Sequence, residues 1–457
     1  MKKTFRPYNQ SQLFLLPPSI EEWVPENHLA RFVNDTVDQM DLSPILAVYE
    51  RESRGYPPYH PAMLLKILIY GYATGVYSSR KLARACEDVV IFRYLSANQF
   101  PDFRTINTFR KRHLESFQKL FVQVLQLCMK ADLVQFGAMA LDGTKIQANA
   151  SKHKAMSYER MKEEEKRLLD MVRSVTGEAQ SVDEQEDREL GDRRGDELPE
   201  ALQTAQGRLA AIREAKAALE QEAKERAEEQ RRVQEEKEKA RAAEPAKRRG
   251  GRKPKEVQED PSAKMQRNFT DPESRIMKTS NGFIQGYNVQ AVVDEAYQVI
   301  VATRVSNKGT DMGQIPEMVR LVMKNTGRKM KQLLADKGYA KTSDMQWLEE
   351  SVRVDGYIAV SREKHHAQSV KAPRGRMPKN LNAWQRMKRK LQTKRGRRMY
   401  AKRKMIVEPV FGQIKECRGF RRFSLRGQDK VSGEWDLIAM CHNLLKLYRY
   451  GKPAMLK

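Results

Sequence analysis

The chain has 457 residues, long enough for two to four domains, and carries 85 Lys and Arg against 59 Asp and Glu, a net charge of +26. The excess is uneven: positions 158–246 hold 25 acidic and 18 basic residues, so the rest carries +33 in runs such as "KRKLQTKRGRRMYAKRK", which favours a nucleic-acid partner over a small acidic substrate. The four cysteines, Cys86, Cys128, Cys417 and Cys441, lie far apart with no C-x-x-C, which excludes a disulfide framework or zinc finger and implies reduced thiols in the cytoplasm, and no apolar run reaches a membrane span.

From Pro58 to about Ala131 the apolar spacing is helical, through "PAMLLKILIYGYATG", "SSRKLARACED", "VVIFRYLS" and "RTINTFRKRHLESFQKLFVQVLQL". A late basic turn with Arg110, Lys111 and Arg112 suits a helix-turn-helix-like DNA-binding domain over 1–131; a plain helical bundle fits the same pattern. The texture changes at "FGAMALDGTKIQANAS", an apolar run that reads as a buried strand delivering Asp142 at its end and defines a segment 132–156.

Positions 157–264 read as an insertion, a charged helical hairpin in which Leu202, Leu209, Ile212 and Leu219 space one coiled-coil seam. Its acidic middle, "SVDEQEDRELGDRRGDE", has the composition of a disordered segment. Its tail, "KRRGGRKPK", reads as a basic linker, with a minor-groove arm as the other reading. Across 265–457, "GFIQGYNVQAVVD" and "QVIVATRVSN" form a hairpin, "GQIPEMVRLVMKNTG" a helix, "MKQLLADKGYA" a strand ending in Asp336, "SDMQWLEESV" a helix and "DGYIAVSRE" a strand. This order describes an α+β fold: a mixed sheet with flanking helices behind an N-terminal all-helical domain.

Lys364 to Val407 contains no acid in 44 residues, and eleven of the nineteen residues before "MIVE" are basic; Glu408 ends that stretch. Tyr400, Lys404, Glu408 and Lys415 follow at steps of four, four and seven, one face of a helix that starts there. Taken singly, Asp142 in a "DG" turn, Asp336 at a strand corner and Glu408 paired with Lys404 all have ordinary readings. Together in a basic protein, three carboxylates at two strand ends and on one helix call for a cation between them, and oxygen ligands suit Mg²⁺ with Mn²⁺ as substitute. Two such ions, about 4 Å apart, can bind the attacking and leaving oxygens of a phosphodiester. A tyrosine recombinase, recruiting Tyr400 with His365 and His366, would leave the carboxylates without a role.

The ordered set "LDGTKIQANAS", "GYNVQAVVD", "LLADKGY", "VEPVFGQIKECRGFRRFSLRG" and "EWDLIAMCHNLLKL" resembles the bacterial DDE insertion-sequence transposases, close to the IS1182 group within the IS5/IS4-like families. "PPYHPAMLLKILIYGYATGVYSSRKLARACED" is similar to the domain preceding their catalytic core. The resemblance implies a ribonuclease-H-like core, interrupted by the insertion, in which Asp142, Asp336 and Glu408 are catalytic and hold two Mg²⁺ ions. It implies double-stranded DNA partners, the terminal inverted repeats and the target, a homodimeric active complex, and a cytoplasmic, nucleoid-associated protein. In the family's Tyr/Arg/Glu/Lys signature, Tyr400, Glu408 and Lys415 fit. The basic member is Arg403 by residue type or Lys404 by spacing. Arg418, Arg421 and Arg422 join them as expected DNA contacts. A catalytically inactive or repurposed DNA-binding relative shares every feature except the chemistry.

Overall fold

The computed structural model describes residues 19–50, 57–171, 200–242, 257–280, 282–361, 372–378 and 380–451. The acidic segment 181–197, the "KRRGGRKPK" tail, His365 and His366 lie outside the described residues.

The N-terminal part is helical: α1 (Leu29–Gln39), α2 (Ser43–Glu50), α3 (Pro61–Thr74), α4 (Ser79–Asp88), α5 (Val90–Leu95), α6 (Phe103–Arg112) and α7 (Leu114–Lys130). α3 is buried along nearly its whole length, as its unbroken apolar sequence requires. It starts where His60 accepts the Ala62 N–H at 3.2 Å with Pro61 in the first turn. It stops at Gly75, whose φ of 86° is left-handed and whose missing Cβ would meet the Arg418 carbonyl oxygen at 2.8 Å.

A mixed sheet follows. Its strands are β1 (Ala138–Gln147), β4 (Arg275–Thr279), β5 (Gly282–Asp294), β6 (Ile300–Ser306), β7 (Gln332–Ala335) and β8 (Asp355–Ile358), in the order β4-β5-β1-β7-β8, with β6 also paired to β5. β1 is antiparallel to β5 and parallel to β7, which is parallel to β8. The two strands that complete its core were therefore made more than a hundred residues after β1. α10 (Ile315–Thr326) and α11 (Thr342–Trp347) connect the later strands. α12 (Ala383–Gln392) and α13 (Lys394–Gly412) pack on β8 and on β1 and β7. α14 (Gln428–Tyr450) lies against α3, α7 and β6, so helical and sheet parts share one hydrophobic core.

The insertion leaves the body through a two-stranded ladder, β2 (Ala155–Ser157) with β3 (Gln266–Asn268). Its described helices are α8 (158–171) and α9 (Glu200–Ala242). Leu209, Ile212 and Leu219 of the expected seam are buried against Tyr158, Met161 and Leu168 in a cluster of their own; the side chain of Leu202 lies outside the described residues. Glu222 ties α9 to the body by accepting from Arg267 and Arg275 at 2.9 Å.

Two expectations give way. Asp142 sits in the middle of β1, not at its end, because β5 continues pairing as far as Gln147. Glu408 is near the end of α13, which starts fourteen residues earlier where Thr393 accepts the Gly396 N–H; the basic run before Glu408 has no apolar period to announce a helix.

Candidate active site

β1 and β7 are neighbours in register, Leu141 beside Ala335, so Asp142 and Asp336, the next residue on each, emerge side by side from the sheet. Side chains alternate along a strand, which puts Asp142 and Thr144 on one face, and α13 crosses that face. From α13, Arg403 donates to Asp142 Oδ2 at 2.8 Å and to Glu408 Oε1 at 3.3 Å. The guanidinium is buried, Asp142 nearly so, and Glu408 is half exposed. The structure thus brings Asp142 and Asp336 together and joins Glu408 to Asp142 through a cation of the chain itself.

Electrostatics follow from this placement. Burial pushes the Asp142 carboxyl up to about 6; Arg403 and the Gly143 N–H, 2.8 Å from Oδ1, oppose that rise, while Asp336 and Asp311 add to it. Burial also raises Asp336, against the Gly338 N–H. Burial works to lower Arg403, but Asp142, Tyr400, Asp336 and Glu408 outweigh it and leave it raised. One guanidinium balances several crowded carboxylates, and its Nε is buried with no hydrogen-bond partner.

Among the other expected residues, Lys415 reaches the site strand, donating to Thr144 Oγ1 and, at 3.0 Å, to the Lys145 carbonyl. Burial, with Arg421 and Lys145 nearby, lowers its pKa. Lys404 is exposed and Tyr400 half-buried, so Arg403, not Lys404, faces the carboxylates. Arg421 and Arg422 are exposed beside the end of β1, where Phe423 N–H donates to the Gln147 carbonyl at 2.9 Å. Lys111 and Arg112 are exposed at the end of α6, Arg112 over the Tyr49 ring.

Arg110 and Arg418 are different, and their expected exposure to DNA is corrected. Arg110 is buried and donates to the Tyr72 hydroxyl at 2.9 Å and the Tyr77 carbonyl at 3.1 Å. Tyr72 donates to buried Glu434, which also accepts the Ser424 and Leu425 N–H groups. Arg418 is buried where its carbonyl accepts from Tyr77. A basic residue type does not say which face of its helix is wet; these two arginines join the helical part to the loop after α13.

Sequence reasoning also passed over Asn288, Gln290, Asp311 and Tyr339. Gln290 and Tyr339 are hydrogen-bonded to each other, and Gln290 donates to Asp311 at 2.7 Å. Burial, then Asp311, Asp142 and Asp336, drive the Tyr339 hydroxyl far above its ordinary pKa, which sets that ring beside three carboxylates. The signal available was the polar alternation of "YNVQAVV" inside an otherwise apolar strand.

Two stretches of the chain match family models: residues 18–112 a transposase domain (DUF772) and residues 260–444 a transposase DDE domain. The chain belongs to the DDE insertion-sequence transposases. The pairing of the two domains fits the IS1182 group. Asp336 and Glu408 of this transposase fall inside the second match; Asp142 lies between the two, on a strand held by β5 and β7, which are both inside it. No curated protein and no solved structure matches the transposase. Among its described residues no helix is long and apolar enough to cross a membrane.

Proposed function

We propose that the transposase cuts the ends of an insertion sequence and joins the freed 3′-hydroxyl to target DNA, with Asp142, Asp336 and Glu408 as the catalytic carboxylates of a ribonuclease-H-like core. The observation that carries this reading is the pair Asp142 and Asp336 on adjacent parallel strands, with Glu408 tied to Asp142 through Arg403. The residues fit a divalent cation by donor chemistry: they offer carboxylate oxygens, and Arg403 is paired with both Asp142 and Glu408. Among the described residues no three potential ligands converge as they stand, and that pairing engages two of the three carboxylates. The reading therefore has Arg403 yield to the ion.

Bound there, Mg²⁺ or Mn²⁺ supplies activation of water or a 3′-hydroxyl and stabilisation of the leaving 3′-oxygen. The chain's own residues do the rest. Asp142, Asp336 and Glu408 would hold the ion through their carboxylate oxygens. Arg403, released, becomes a phosphate contact, and Lys415 and the exposed Lys404, Arg421 and Arg422 hold backbone beside the site strand. The 1–131 helices bind the terminal inverted repeats, with Lys111 and Arg112 outward; 132–156 and 265–457 form the catalytic domain, and 157–264 is its insertion. Two copies synapse two ends in the cytoplasm, on nucleoid DNA.

Purified protein on labelled inverted-repeat ends with Mg²⁺ tests the reading. Asp142→Ala is expected to lose cleavage by at least about a thousandfold while end binding is kept. Cleavage retained by that variant, or equal activity in a chelator, overturns it; end binding with no cleavage by the unaltered chain leaves a DNA-binding protein without the chemistry.

A further inference from the structure

A fourth carboxylate, Asp311, lies near Asp142 and Asp336, although no three potential ligands converge as they stand. Asp311 lies in the loop between β6 and α10, far in sequence from the other three. Two buried amides of β5 hold it: Asn288 Nδ2 and Gln290 Nε2 both donate to Asp311 Oδ1 at 2.7 Å. None of the described hydrogen bonds reaches Oδ2.

The backbone has been cleared for it twice. A Cβ on Gly143, the residue after Asp142, would fall 2.7 Å from Asp311 Oδ1 and 2.4 Å from Gln290 Nε2. A Cβ on Gly338, two residues after Asp336, would fall 3.0 Å from Asp336 Oδ1 and 3.1 Å from Asp311 Oδ2. Real Cβ atoms do not tolerate the first pair of contacts, so the glycines of "DG" and "DKG" admit Asp311 between the two aspartate-bearing strands. Oδ2, with no donor of its own, is the oxygen that lies beside Asp336.

A second observation points at a missing group. Asn288 is fully buried, yet its Oδ1 has no hydrogen-bond partner. That atom would lie 3.1 Å from the same Gly143 Cβ position, so it faces the hollow that Asp311 occupies. A buried oxygen left unpaired is costly unless a ligand or its water supplies what it lacks. Asp311 is also not a simple ion-pair member: the described salt bridges include none to it, although Arg403 stands on Asp142 next door.

We propose that Asp311 is a further catalytic carboxylate, touching the divalent cation together with Asp142 and Asp336, and that Asn288 and Gln290 aim it there. This rests on the metal-dependent reading above. It makes the site four-acid, with the fourth supplied by a loop and not by a strand or helix.

Fe²⁺ in place of Mg²⁺, with ascorbate and peroxide, breaks backbone only next to where it is bound, and the cuts on the full chain are mapped by mass spectrometry. Cuts are expected at three places, around 142, around 336 and within 308–312. Cuts at the first two without the third overturn the role of Asp311 and leave the metal-dependent reading standing; no metal-directed cut at any of them overturns both. Independently, Asp311→Asn keeps an acceptor for both amides. It is expected to raise the half-saturating Mn²⁺ concentration about tenfold, read from free Mn²⁺ by electron paramagnetic resonance, with an unchanged metal-free melting temperature. Unchanged Mn²⁺ affinity overturns the proposal. If that variant fails to fold, the Fe²⁺ map of the unaltered chain decides.

Discussion

At the residue scale, Arg403 carries most of the electrostatic consequence. Counting steps of four from Glu408 selects Lys404, but an arginine stem reaches across the helix to place its fork on Asp142, and a lysine has no second donor plane to bridge two carboxylates. Asp142 itself makes a pH prediction. Its carboxyl holds a proton to about 6 in the folded chain and to about 3.8 in the unfolded one. With the folded value raised, its contribution to stability is fully present below 3.8 and is lost as pH rises through 6. Metal-free Asp142→Asn lacks that loss, so its urea midpoint relative to the unaltered chain is expected to rise between pH 4 and pH 7. A constant difference would show that Asp142 is not protonated there. For Arg110, truncation leaves buried Glu434 and Tyr72 short of their positive partner. Arg110→Met is expected to cost about 3 kcal/mol in denaturant unfolding, far more than Lys111→Met on the wet side of α6.

At the scale of elements, the strands were the most legible part. "AMAL", "VQAVV", "VIVA" and "QLLA" are short apolar runs bounded by turn residues, and all became buried strands of one sheet. The aspartates were legible for the same reason, as polar residues where an apolar run breaks off. The limits of α13 were not, since seven of its first eleven residues are basic and helix formation there rests on the Thr393 cap and on packing. Lys415 was placed by counting along one helix, whereas a π-turn over Gln413–Cys417 changes the helical phase after α13, and Lys415 reaches Thr144 on β1, on the face that carries Asp142. The contact of α14 with α7 can be tested directly. Gly433 is so close to Leu114 that a Cβ would meet its Cβ at 2.8 Å and its carbonyl at 2.9 Å. Gly433→Leu is expected to lower stability by about 2–3 kcal/mol and to loosen the helical part from the sheet, seen as faster hydrogen exchange in α7.

At the scale of the whole molecule, the charge map separates the body from its insertion. α8 and α9 bury a small cluster that touches none of the main core, and the entrance and exit are tied by β2 and β3. Replacing 159–264 with a short Gly/Ser turn is expected to shift the melting temperature by no more than about 4 °C, with the secondary structure of the body retained; loss of the cooperative transition would mean the insertion is part of the fold. With the acidic arm gone, DNA affinity at low salt is expected to rise, and its dependence on salt to follow the phosphate contacts of the body. Composition made that division legible. The nearness of Asp311 to Asp142 and Asp336 was not, because the loop that carries Asp311 has no periodicity to place it.

The position of α14 has a consequence for synthesis on the ribosome. Its 23 residues fill the groove between the first helices and the sheet, against α3, α7 and β6, and it is the last described element of the chain. Asp142, translated early, gains its strand neighbours only when β5 and β7 emerge, and α3 and α7 lack one side of their packing until α14 arrives. A product stopped before position 428 lacks the element that joins α3 and α7 to β6, so a frameshift anywhere before that point is expected to leave no cooperatively folded body, read as the loss of a cooperative urea transition in the shortened chain.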